Sequence, residues 1–246
     1  NPKRKSNYIF FLFILIIMGL LKNIEIVDLA LFLKKENILI ISDLQLGYED
    51  TLLKKGVMIP KNQFNDIYIK IEKLLKLIKP NKLIINGDFK HEFGLINKTE
   101  WKILKLIDMI NEYCELVLIK GNHDTVLESI VKKKDLRLVN YYFENDVYIC
   151  HGHEIPKNKE FNESKFMIIG HEHPALMLED GGRREKFKCF LKGKYSNKHI
   201  IVMPSYNELT IGSDILNQKR LSPFLKNIDE FEVFVVSEKI LEFGKV

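Results

Sequence analysis

Five short segments carry the residues that could do chemistry: "SDLQLG" at 42–47, "NGDFKHEFG" at 86–94, "KGNHDT" at 120–125, "CHGHE" at 150–154 and "GHEHP" at 170–174. They supply Asp43, Gln45, Asp88, His91, Asn122, His123, Asp124, His151, His153, His171 and His173. Six of the seven histidines fall in them, and His199 begins an apolar run elsewhere. A single histidine at a strand end is ordinarily a hydrogen-bonded loop residue. "GD" or "GN" alone is an ordinary turn. Turns draw on Gly, Asn and Asp, however, and have no need of paired histidines. Imidazole, carboxylate and amide donors together suit Mn²⁺, Fe²⁺ or Zn²⁺ rather than Ca²⁺, which takes oxygen alone. About seven candidate ligands are too many for one ion. They fit two ions sharing a carboxylate, an arrangement that clamps the attacking and leaving oxygens of a phosphoryl transfer.

The elements that must position these segments are readable by period. "ILIIS" at 38–42, "KLIIN" at 82–86 and "ELVLIK" at 115–120 are short continuous apolar runs, the pattern of buried strands, and each runs into one of the polar segments. Between them, Phe64, Ile67, Tyr68, Ile71, Leu74, Leu75 and Ile78 repeat at three and four, which predicts a helix over 61–79 opened by Pro60 and closed by Pro80. Asn97 with Glu100 reads as a cap pair for a second helix reaching Tyr113. Alternating strands and helices predict a mainly parallel sheet, with the polar residues at its carboxyl ends, where such sheets bind ligands. After residue 135 the texture becomes "YYF", "VYIC", "FMIIG", "FKCFLKG", "HIIVMP" and "FEVFVV", with turns at Asn145-Asp146 and Gly181-Gly182. That predicts a β-rich sheet packed on the first.

The chain has 246 residues, 46% hydrophobic and 29% charged, which excludes a disordered protein. No linker divides it, so residues 18–246 read as one domain. A net charge of +5 fits an anionic substrate, but the lysines are spread out. "KKK" at 132–134 reads as solvated surface, and "RREKFK" at 183–188 as an exposed turn or a basic hairpin near the site. Cys114 and Cys150 read as core, no CxxC pair exists, and a reducing, cytoplasmic setting follows. At the start, Tyr8 to Leu21 is a 14-residue apolar run after "NPKRKS". It is shorter than the ~20 residues of a membrane span. Residues 1–17 are therefore set outside the fold, with a membrane anchor through 8–21 as the alternative. Phosphate-cradling, dinucleotide and nucleophile-elbow motifs are all missing from the sequence.

The order D-x-(H), GD, GNHD, H-G, GHxH resembles the calcineurin-like metallophosphoesterases. "LGYE" at 46–49, "GDFKHEFG" at 87–94, "GHEHPA" at 170–175 and "PSYN" at 204–207 resemble, within them, the archaeal phosphoesterases related to the nuclease SbcD and the bacterial DNA-ligase-associated group. The resemblance spans residues 24–215. It implies an α/β fold, a four-layer αββα sandwich of two mixed sheets, holding two divalent cations, Mn²⁺ first, with Fe²⁺, Zn²⁺ or Mg²⁺ as alternatives. Asp88 would bridge them. Asp43, His173 and position 45 would complete one site, and Asn122, His151 and His171 the other. A metal-held hydroxide would attack phosphorus, His123 would stabilise the phosphoryl or leaving oxygens, and Asp124 would orient His123. From the residues alone, His153 reads as a spare ligand or a substrate contact, and His91 as a substrate-phosphate contact or a surface residue. The family's usual histidine at position 45 is Gln45 here, a neutral and weaker donor. The implied activity is phosphodiester hydrolysis on nucleic acid or nucleotides. The alternatives are a phosphomonoesterase or cyclic-nucleotide hydrolase, or a weakly active metal-binding partner in a repair assembly.

Overall fold

The computed structural model describes residues 16–59, 63–91, 98–124, 127, 131 and 134–246. The chain begins with β1 (Ile17–Leu21), β2 (Ile24–Val27), β3 (Ala30–Leu33) and β4 (Ile38–Ser42), each antiparallel to the next. Asn23, Asp28 and Asn37 make the turns at φ of 69°, 55° and 53°, a left-handed conformation that Asn and Asp tolerate better than other residues with a Cβ. Only β4 was expected from sequence. Ile17 pairs with Val27, and the Ile16 carbonyl accepts from the Asp28 N–H. The first strand therefore takes in Ile17, one residue before the expected boundary at 18. Residues 1–15 lie outside the described residues. Of the apolar run, Ile17 to Leu21 is strand, and among the described residues no helix is long and apolar enough to cross a membrane.

The chain continues through α1 (Tyr48–Lys54), α2 (Gln63–Ile78), β5 (Lys82–Asn86), α3 (Lys98–Asn111), β6 (Glu115–Ile119) and β7 (Arg137–Val139). Strands β4 to β7 pair in parallel, completing a seven-stranded sheet in chain order. α2 buries Phe64, Ile67, Ile71, Leu74 and Leu75, five of the seven residues that predicted it. Each such side chain stabilises by about 1.5–3 kcal/mol when fully removed from water. The expected caps Pro60 and Asn97 lie outside the described residues.

The second half folds as β8 (Tyr141–Glu144), β9 (Val147–Cys150), α4 (Lys159–Glu163), β10 (Phe166–Ile169), β11 (Pro174–Asp180), β12 (Arg183–Tyr195), β13 (Lys198–Val202), β14 (Ser213–Asp214), β15 (Glu232–Val236) and β16 (Ile240–Lys245). The sheet order is β14-β11-β12-β13-β10-β9-β8, with β15 on β12 and β16 on β15. Asn145-Asp146 (φ 48°, 67°) and Gly181-Gly182 (φ 54°, 82°) turn the hairpins β8–β9 and β11–β12. Both residues of each turn are left-handed, as tight hairpins require.

Alternation along these strands sets the layers. Ile149, Ile168, Phe190, Ile201 and Phe234 join the core of the first sheet, with α2 and α3 in the same cluster. Their neighbours Tyr148, Met167, Cys189, Ile200 and Val233 pack against Phe161 of α4 and against Phe224, Leu225, Ile228 and Phe231. The result is a sandwich of two mixed sheets with helices outside. Its outer layer over the second sheet is thin, one short helix and an irregular segment. Cys114, Cys150 and Cys189 are all unpaired, the last two buried.

Candidate metal centre

Strands β4, β5 and β6 are adjacent and parallel, so the segments that follow them lie side by side. The Gln45 N–H donates to the Asp88 carbonyl at 2.8 Å, and Leu46 N–H to the Phe89 carbonyl at 2.9 Å. His123 N–H donates to Asp88 Oδ1 at 3.0 Å. Across from them, the parallel strands β9 and β10 deliver His151, His153, His171 and His173 from the second sheet. Gly170 N–H ties the two histidine segments by donating to the His151 carbonyl at 3.0 Å.

The side chains meet in two groups. In one, His173 Nε2 lies 3.1 Å from Asp43 Oδ1. In the other, His151 Nε2 lies 3.0 Å from Asn122 Oδ1, 3.2 Å from His171 Nδ1 and 3.6 Å from Asp88 Oδ2. Asp88, His151 and His171 offer ligand atoms all within 4.8 Å of one another. His151 also connects the groups, its Nδ1 3.6 Å from Asp43 Oδ1. The approach is close because of two glycines. A Cβ on Gly87 would sit 2.0 Å from His151 Nδ1, and one on Gly121 2.2 Å from the Asp88 backbone nitrogen. Asp43, Gln45, Asp88, His171 and His173 all have positive φ. Left-handed backbone at side-chain-bearing residues is costly and collects at functional sites.

Asp43 Oδ1, His151 Nδ1, His173 Nε2 and His153 Nδ1 are buried without a hydrogen-bond partner. Buried polar atoms are normally satisfied, and here several lone-pair atoms converge instead. The titration behaviour agrees. Burial pushes His151 down to about 3 and His171 down to about 4, so both imidazoles are neutral at neutral pH. Burial and then the Asp43 charge push Asp88 up to about 7. Burial would raise Asp43 as well, but His173, then His151 and the Ser42 hydroxyl, together outweigh it and hold that carboxyl at about 2. For His173 burial pulls down, and Asp43 and Asp88 together raise it above the ordinary imidazole range. Neutral imidazoles and crowded carboxylates fit a divalent cation.

Cation binding must therefore displace protons from Asp88 and His173. Affinity for Mn²⁺ is expected to rise with pH up to about 7 through Asp88, by about tenfold per unit for each proton released, with His173 adding a second, separately titrating proton. The Asp88 share of proton release, measured calorimetrically in buffers of different ionisation enthalpy, should fade above about 7. Affinity flat from pH 5 to 8 would exclude this coupling.

The remaining expected residues have other surroundings. Both oxygens of Asp124 are engaged by backbone: Oδ1 accepts from Phe89 and Lys90 N–H at 2.9 and 3.3 Å, and Oδ2 from Gly121 N–H at 2.9 Å. Its carboxylate thus pins the loop after β5 to the loop after β6. The Gln45 carbonyl oxygen accepts from the Thr210 hydroxyl at 3.0 Å. His91 packs edge-on to Tyr48, ring centres 4.5 Å apart, and stacks toward His123 at 6.5 Å. His153 lies 5.2 Å from His151 and 6.0 Å from His171 by ring centres.

Several supporting residues had no role in the sequence reading. Ser42 Oγ donates to Asp43 Oδ2 at 2.6 Å. Glu172, between two histidines, accepts from Leu221 and Ser222 N–H at 2.8 Å each. Ser205 and Asn207 of "PSYN" hold the loop of Asp43 from the second sheet, Ser205 Oγ to the Asp43 carbonyl at 2.7 Å and Asn207 Nδ2 to the Leu44 carbonyl at 2.9 Å.

A family profile described as calcineurin-like phosphoesterase matches residues 36–235. A search of curated proteins gives no match. Among solved structures, the nuclease MPE of Pseudomonas putida is similar over 87% of this chain and 92% of its own, at 18% identity and a TM-score of 0.62, which shows a shared fold. Vacuolar protein sorting 29 of Cryptosporidium parvum is aligned over 85% of this chain and 97% of its own, at 14% identity and a TM-score of 0.39. The profile's span runs from β4 into β15 and takes in all five polar segments; the chain belongs to the calcineurin-like phosphoesterase family.

Proposed function

We propose that the chain hydrolyses phosphodiester bonds of nucleic acid or nucleotides with two divalent cations, Mn²⁺ first among them. The observation that carries this reading is the split of donors, Asp43 and His173 on one side, Asn122, His151, His171 and Asp88 on the other; Asp88 would bridge the two cations. Bound cations would supply a Lewis acid for the phosphoryl oxygens and a water of lowered pKa. His123, half-buried beside Asp88, is placed to donate a proton to the phosphoryl or leaving oxygen. Asp124 positions that loop through its backbone bonds. His91 and His153 contact the rest of the substrate. The nuclease of the same fold supports a nucleic-acid substrate, and "LGYE", "GHEHPA" and "PSYN" support the SbcD-related subgroup. Three unpaired cysteines support a cytoplasmic setting.

Gln45 completes the Asp43 side in this reading. Its carbonyl oxygen keeps a second lone pair beside the Thr210 hydroxyl. Gln45→His should then tighten Zn²⁺ more than Mg²⁺ at that site, since imidazole is the better donor for the softer ion. Calorimetric titration with both ions checks this; unchanged affinities would remove Gln45 from the ligand set.

The activity is tested with bis-p-nitrophenyl phosphate and Mn²⁺, against p-nitrophenyl phosphate as the monoester. Diester turnover abolished by a chelator is the expected result. Preference for the monoester would favour a phosphomonoesterase. Folded protein inactive with every divalent ion would leave a binding role.

A further inference from the structure

We infer that Lys188 is a positioning residue for the cation held by Asp43 and His173. It lies in "RREKFK", whose arginines are exposed and whose last lysine is not. In the β11–β12 ladder Lys188 pairs with Ala175, two residues beyond His173. Its amino group donates to the Ser205 carbonyl at 2.6 Å and the Asn207 carbonyl at 2.5 Å. Both acceptors belong to buried residues. Two carbonyl oxygens aimed at one point repel each other unless a group with at least two donors sits between them, and the lysine amino group supplies these.

What those carbonyls belong to gives Lys188 its consequence. Ser205 and Asn207 are the residues whose side chains grip the Asp43 and Leu44 carbonyls, and Asn207 Nδ2 reaches the Gln45 carbonyl at 3.3 Å as well. Between them, Tyr206 N–H donates to the Ser42 carbonyl at 2.8 Å. So β12 holds 205–207, and 205–207 holds 42–45, through an unbroken series of hydrogen bonds. Among the described residues, the bonds from 205–207 into the centre run to the side of Asp43, not to Asn122, His151 or His171. Burial pulls Lys188 down to about 7 and Lys70 adds to this, while Glu208, Asp28 and Asp43 oppose it. The two bonds need only N–H donors, which the amino group offers with or without its extra proton. Losing the amino group should let 205–207 relax and shift Asp43 relative to His173, leaving the other group in place.

The inference rests on the two-cation reading. Mn²⁺ titrations by calorimetry test it on wild type, Lys188→Met and Lys188→Gln, the binding steps being assigned by their loss in Asp43→Asn and in Asn122→Ala. We expect Lys188→Met to weaken the Asp43-dependent step about tenfold or more, on the scale of residues that orient metal ligands. The Asn122-dependent step should stay within about twofold. Lys188→Gln keeps a donor and should weaken the same step by less; it also carries the test if the methionine variant does not fold. Two unchanged steps, or two equally weakened, overturn the role of Lys188 and leave the two-cation reading standing. A single step in wild type overturns both.

Discussion

Asp88→Asn should abolish diester hydrolysis, by on the order of a thousandfold or more, while making the cation-free protein more stable at alkaline pH. The first effect follows from the bridging role proposed for it. Several kcal/mol of transition-state stabilisation depend on the cations being held there, and about 4 kcal/mol is a thousandfold in rate. The second follows from linkage. The Asp88 carboxyl is pushed up from 3.8 to about 7 in the fold, by burial and by Asp43. A raised carboxyl keeps its proton in the native state while the unfolded chain ionises. Native stability is therefore lost as pH rises from about 4 through 7 and stays low above that. Asparagine resembles the protonated acid and still offers an oxygen to the His123 N–H. Chelator-treated Asp88→Asn should thus unfold at higher temperature than wild type at pH 8, and at nearly the same temperature at pH 4. Retained activity would remove Asp88 from the bridging position, and equal melting at pH 8 would remove the strain.

His123→Ala should lower turnover of a diester with a poor leaving group, such as an oligonucleotide, by about 10²–10⁴-fold, the usual contribution of a positioned acid. Cation affinity should be kept, because His123 touches Asp88 through its backbone N–H, which alanine retains. The diagnostic lies in the comparison with a p-nitrophenyl diester, whose leaving group needs little protonation. If His123 serves as the acid, that substrate should lose far less. Equal losses on both substrates would assign the imidazole to the phosphoryl oxygens instead.

Much of the centre was legible because buried parallel strands read as continuous apolar runs. β4, β5 and β6 could be found this way, and the polar segments at their ends followed. Asp43 lies near His173, and Asn122 and His171 near His151; their role as cation ligands is the proposal made above. Other parts left no such trace. β1 forms the end of the apolar run Tyr8–Leu21, which reads as an extension or an anchor, and β2 and β3 are four-residue strands turned by single Asn and Asp residues. The surroundings of Asp124 are backbone amides, which have no letter in a sequence. Thr210 meets Gln45 from 165 residues away, and Ser205 meets Asp43 from 162. Contacts of that separation depend on how two sheets stack, and no local pattern encodes the stacking.

The donors come from both sheets: Asp43, Asp88 and Asn122 from one, the histidines 151, 171 and 173 from the other. A cation shared between Asp43 and His173 would act as a removable cross-link between residues 130 apart in sequence. Held only by the folded chain, it would add about 2.7 kcal/mol when free metal is a hundredfold above its dissociation constant. Metal supply would then govern how long the molecule resists opening and degradation, as well as how fast it turns over.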